Sequence, residues 1–173
     1  MLRTSQSLTV FCVCFFLLPV LAQQTKLAEP DVMDVVYLRD ASDQALKPLP
    51  KQPAKVVTHR GFASAKGAIQ IPGPASSFRI KAGTELEFVV KSASPDSYQL
   101  FAFTKKGDNR EAIVANAKAS LFGSVSTQQV GVLTLEVAKY GEQSYRFVVR
   151  SADPGEYGFA VGWSVFDFAV EPK

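Results

Sequence analysis

The sequence predicts an all-β chain folded as a single antiparallel β-sandwich of about ten short strands. Two observations carry that expectation. Short segments rich in β-branched and aromatic residues recur along the chain, set apart by Gly, Pro, Asp and Ser roughly every ten residues. One of them, residues 98–105 (YQLFAFTK), is apolar on both faces: Tyr98, Leu100 and Ala102 alternate with Phe101 and Phe103. A strand of that kind is covered on two sides.

The chain opens with Arg3 and an apolar run from Leu8 to Leu18 broken only by Thr9, and then reaches Pro19-Val20-Leu21-Ala22. A basic start, a short apolar core and small or aliphatic residues at the end of the run predict a signal peptide over 1–22, cleaved after Ala22. The competing reading is an uncleaved anchor. The run from Leu8 to Ala22 contains Pro19 and falls short of the roughly 20 residues a spanning helix needs. Cys12 and Cys14 both lie in this segment, outside any lipid-attachment pattern, so the released chain has no disulfide and no thiolate metal site. Secretion or periplasmic export follows as the expected location. Residues 23–30 form a polar, flexible leader, and 31–173 form one domain.

Within that domain, residues 34–40 (DVVYLRD) are a β-rich segment followed by a turn at 41–44. Further short strands are expected at 54–60, 67–71, 77–81 and 85–91. Residues 98–105 pass through Lys106-Gly107-Asp108-Asn109 into 110–117, which reads as a hairpin. Segments at 131–137, 144–150, 156–161 and 163–170 complete the set. Residues 111–122 also fit helical spacing, but the Gly-Asp-Asn turn and the Ile113-Val114 pair favour strand.

Before the last two strands stands Asp153-Pro154-Gly155-Glu156-Tyr157. Asp153, Gly155 and Tyr157 resemble the tyrosine corner of immunoglobulin-like sandwiches, in which the Tyr hydroxyl bonds back to upstream backbone. Pro154 presets φ there, and Gly155 permits a positive φ. A plain Pro-Gly turn is the simpler alternative, and both readings are structural. The sandwich is therefore expected to be immunoglobulin-like.

DVVYLRD at 34–40, Leu46-Lys47-Pro48-Leu49 and YQLFAFTKKGDNREAIV at 98–114 together resemble a family of uncharacterised exported bacterial β-rich proteins of similar size. Pro154-Gly155-Glu156-Tyr157-Gly158-Phe159 and Val165-Phe166-Asp167-Phe168 add to the likeness. The resemblance implies export and β architecture. It brings no activity and no functional residue.

Chemistry is sparse. His59 is the only histidine and cannot form a His-rich metal site; as a general base it competes with the reading of a partly exposed strand residue. Glu85 and Glu87 lie two apart on one strand face, where a glycosidase needs carboxyls on opposing walls. Asp40-Ala41-Ser42-Asp43 lacks the glycine and the distal Glu of a calcium loop and fits a hairpin turn. Phosphate-loop fingerprints, a Gly-x-Ser-x-Gly elbow and an Asn-x-Ser/Thr sequon are all missing. No cofactor and no metal are expected.

Charge distribution is the least uniform feature. From Gln44 to Thr84 the chain carries seven basic residues and no acid. Lys47, Lys51, Lys55, Arg60 and Lys66 in that stretch are the candidate ligand-binding residues, for an anionic surface or an acidic glycan. Spaced edge-strand charges that keep the chain soluble are the competing explanation. A glycan platform would draw on Trp163, Tyr37 or Phe62. The expected role is a non-enzymatic envelope or extracellular module. A binding module for anionic or carbohydrate ligands is the first rival, and a hydrolase using His59 or a carboxylate pair is the second.

Overall fold

The computed structural model describes residues 28–62, 64–83, 85–119 and 125–173. The signal peptide expected over 1–22 and the leader residues 23–27 lie outside them. Fifteen strands are present among the described residues: β1 (Val36–Arg39), β2 (Leu46–Pro48), β3 (Lys51–Pro53), β4 (Lys55–Arg60), β5 (Ser64–Pro72), β6 (Arg79–Lys81), β7 (Glu85–Lys91), β8 (Gln99–Lys106), β9 (Asn109–Ala119), β10 (Val125–Gln129), β11 (Val132–Leu133), β12 (Glu136–Lys139), β13 (Ser144–Arg150), β14 (Gly155–Val161) and β15 (Ser164–Glu171). No helix among them is long and apolar enough to cross a membrane.

The strands form two sheets. Five lie in the order β12-β13-β7-β1-β2. Ten make the second sheet, with a spine β3-β15-β14-β8-β9-β5-β4 and with β10 on β9, β11 on β8 and β6 on β15. Pairing is antiparallel apart from β6 on β15. The larger sheet curls into a half-barrel. A bulge between Gly67 and Ala68, where β5 and β9 shift register, sharpens that bend.

One core lies between the sheets. Phe88 of β7 meets Phe159 of β14 and Phe168 of β15 with ring centroids 4.9 Å apart in both pairs, and Phe147, Tyr98 and Tyr157 extend the cluster. Tilted and edge contacts of this kind add to the burial of the rings themselves. A second core of Ile71, Phe101, Phe103, Ala112, Ala160 and Val165 fills the half-barrel. Strand β8 serves both, with Leu100 toward the first, joined there by Tyr98 just before the strand, and Phe101 and Phe103 toward the second. Ala102 is the exception and is exposed.

Several expectations change. Fifteen strands replace about ten, because β2 and β3 are three-residue pieces that include Pro48 and Pro53 and read as loop in the sequence. Both lie at sheet edges, where a residue without an N–H costs no ladder bond. Strand β10 (VSTQQ) has no alternation to betray it, and the single strand expected at 131–137 is divided between β11 and β12. The helical alternative fails for residues 111–119, which are strand; 120–124 lie outside the described residues.

The Tyr157 hydroxyl donates to the Asp153 carbonyl at 2.7 Å. However, the left-handed residue of that turn is Ser151 (φ 53) and not Gly155. Ahead of β1, residues 29 and 30 are anchored. Pro30 is buried, and the Glu29 carboxylate accepts from Glu142 N and Ser144 Oγ, both at 2.8 Å. Those donors, the Glu142 N–H first, hold its pKa below the ordinary glutamate value.

Candidate functional site

Part of the acid-free stretch, β4 with β5, forms an arm. Strand β3 runs along β15 as far as the pair Pro53–Ser164, beside the tight β14–β15 turn at Gly162-Trp163. There Ala54 N donates to Trp163 O at 3.0 Å. The chain then continues through β4 for six residues, about 20 Å at the usual rise of an extended strand. It turns at Gly61-Phe62 and returns as β5, pairing Arg60 with Ala65, His59 with Lys66 and Lys55 with Gln70. Strand β9 lies on the other side of β5, and β10 on β9. The order β4-β5-β9-β10 leaves β4 and β10 as edges.

Side chains on β4 are open to solvent except Val57, which is half-buried. Val56 is 61% exposed, Trp163 at the base of the arm 75%, and Phe62 at its tip fully exposed. Lys55, Arg60 and Lys66 stand among them, all exposed. Three of the five candidate lysines and arginines are thus brought together on one hairpin. Lys51 lies one strand earlier, on β3, its ammonium 5.9 Å from the Phe166 ring centroid. Lys47 belongs to the other sheet, on β2, where it is paired with Asp40. That pairing leads the causes that drive the Asp40 pKa far below the carboxylate range and raise that of Lys47. The aromatics proposed as a glycan row are not contiguous, since Tyr37 is on β1 in the five-stranded sheet.

His59 has a partner that the sequence did not suggest. Its Nε2 lies 2.8 Å from Glu111 Oε2, while Gln70 Nε2 donates to Glu111 Oε1 at 2.7 Å. Glu111 is almost fully buried and the imidazole is partly exposed. Such a dyad can hold and pass a proton, but no hydroxyl is hydrogen-bonded to His59 among the described residues. Nor does the imidazole line either of two charged cavities. One, of about 920 Å³, is flanked by Glu29, Lys91 and Tyr140. The other, of about 480 Å³, lies among Arg39, Asp40, Lys47 and Glu87. Residues 52 apart in the chain meet here only because β4, β5 and β9 are neighbours, so spacing carries no sign of the contact.

The candidate carboxylates Glu85, Glu87, Asp40 and Asp43 are engaged in ion pairs or turns. Glu87 pairs with Arg39 and with Arg146, the latter at 2.8 Å, and Glu85 pairs with Arg150 at 3.0 Å. Arg150 also grips Glu136, lowering the pKa of that carboxyl. Asp40 caps its own turn by accepting from Ser42 N at 2.9 Å, and Asp43 does likewise with Ala45 N. No group of three or more His, Cys, Asp or Glu side chains suited to a metal ion occurs among the described residues. No family model, curated protein or solved structure matches the chain.

Proposed function

We propose that this chain is an exported, non-enzymatic module that binds an anionic surface or polymer through the β4–β5 arm. One observation carries the reading: the arm presents Lys55, Arg60 and Lys66 to solvent on a hairpin that contains no acidic residue. A positive surface of this kind attracts polyanions, with an affinity that falls as salt rises. The apolar run at 8–22 supports export. The Tyr157–Asp153 bond supports an immunoglobulin-like relationship for the sandwich, although the half-barrel departs from a simple two-sheet form.

The test is binding of the chain from residue 23 onward to heparin and to anionic vesicles at low salt. The reading expects binding to at least one of them. It also expects a steep decline with salt, and at least a tenfold loss when Lys55, Arg60 and Lys66 are together changed to Glu. Wild-type protein that binds neither, or a triple variant that binds as wild type does, refutes it.

A further inference from the structure

Resting on the proposed anionic docking, we infer that the partner is an anionic lipid bilayer, along which the β4 edge lies with Trp163, Val56 and Phe62 in the interface. Three exposed apolar side chains fall on one short path: Trp163 beside Ala54, then Val56, then Phe62 at the tip. Lys55 and Arg60 alternate with them along the same strand. A lone exposed apolar residue on a surface needs no explanation. Val56 on a strand that is an edge among the described residues, with Trp163 and Phe62 in the turns near its two ends and Lys55 and Arg60 between them in a stretch free of acids, matches the two requirements of interfacial anchoring. Those requirements are apolar area to bury at the headgroup boundary and positive charge to meet anionic lipid.

Two further points favour a bilayer over a soluble polyanion. Phe62 is exposed over its whole ring, and a bilayer offers a phenyl group a hydrocarbon boundary to bury against, which a sulfated glycan chain such as heparin does not supply. Indole at the base of the arm suits the interface as well, since its apolar body and N–H bridge the hydrocarbon and headgroup regions. The edge backbone of β4 remains in the hydrated headgroup zone, where its unpaired groups keep water as a partner.

Trp163 is the only tryptophan, so its fluorescence reports the base of the arm directly. The chain from residue 23 onward contains every described strand and lacks the apolar run at 8–22, which would bind lipid by itself. It is titrated with vesicles of phosphatidylcholine alone, with vesicles containing phosphatidylglycerol, and with heparin. The expected result is a blue shift of Trp163 emission with the anionic vesicles only, and quenching by lipids brominated high on the acyl chain. Phe62→Ala should weaken vesicle binding about tenfold or more and leave heparin binding unchanged. Because the Phe62 ring touches solvent throughout, its removal spares the fold. Vesicle binding without a shift of Trp163, or equal affinity of Phe62→Ala and wild type, overturns the bilayer while leaving the anionic reading intact. Heparin binding without vesicle binding does the same. Failure to bind either ligand removes both.

Discussion

Arg110 Nη2 stands 2.8 Å from Asp167 Oδ2, with the two side chains 1% and 0% exposed. The guanidinium also donates to Glu156 Oε2 at 2.9 Å and, through Nε, to the Gly73 carbonyl at 3.1 Å. Asp167 has no such support among the described residues: neither of its oxygens accepts a well-aligned hydrogen bond there, and Arg110 supplies its charge compensation at close range. Arg110→Met should therefore destabilise the protein by about 3–5 kcal/mol, because it strands a carboxylate inside the half-barrel. Arg110→Met combined with Asp167→Leu should regain most of that loss, since apolar replacement of a whole buried pair is often neutral. Urea denaturation of the two variants checks the sign and size. A double variant as unstable as the single one would show that the cost arises elsewhere.

The Tyr157 corner calls for a subtler pair of changes. Its hydroxyl donates to the Asp153 backbone carbonyl, while its ring stacks on Phe168 at 5.6 Å. Tyr157→Phe keeps the ring and removes the bond, at a cost of about 0.5–1.5 kcal/mol. Asp153→Ala keeps the carbonyl and should cost less than Tyr157→Phe. Thermal denaturation separates the two, and the reverse order would assign the turn to the Asp153 side chain.

Much of the β architecture was legible because local patterns and tertiary packing agree. Gly107 adopts φ 61 in a two-residue turn joining Lys106 to Asn109, where the hairpin is expected from composition. Leu86 and Phe88 face the core, and Glu85 and Glu87 face cross-strand arginines, as alternation implies. Legibility ended where contacts depend on sheet curvature. Arg110 and Glu111 are adjacent in a segment that reads as an ordinary hairpin strand, yet both are buried, one toward Asp167 and the other toward His59. Nothing local marks them, because their partners arrive from β15 and β4. At the candidate site, the acid-free stretch was visible as composition. Its division was not: Lys47 goes to one sheet and Lys55, Arg60 and Lys66 to the arm, since strand pairing decides that.

Tyr98 gives the chain an alkaline limit. Its ring is buried in the core between the sheets, and its hydroxyl lies 3.3 Å from Asp34 Oδ1, an oxygen that also accepts from Ser92 Oγ at 2.7 Å. Burial, with the Asp34 carboxylate adding to it, pushes the phenol up to about 12 from its ordinary value of 10.0. The folded state therefore keeps a proton that the unfolded chain releases earlier. This contribution is fully present below pH 10 and is lost as pH rises toward 12, with a size on the order of 2 kcal/mol. Ultraviolet titration of the folded protein should show one late tyrosinate step near pH 12 that disappears in Tyr98→Phe. The variant should also show a shallower fall in stability between pH 10 and 12, with the remaining slope coming partly from Tyr157, which burial likewise raises. Complete ionisation of all five tyrosines by pH 11 without unfolding would contradict the assignment.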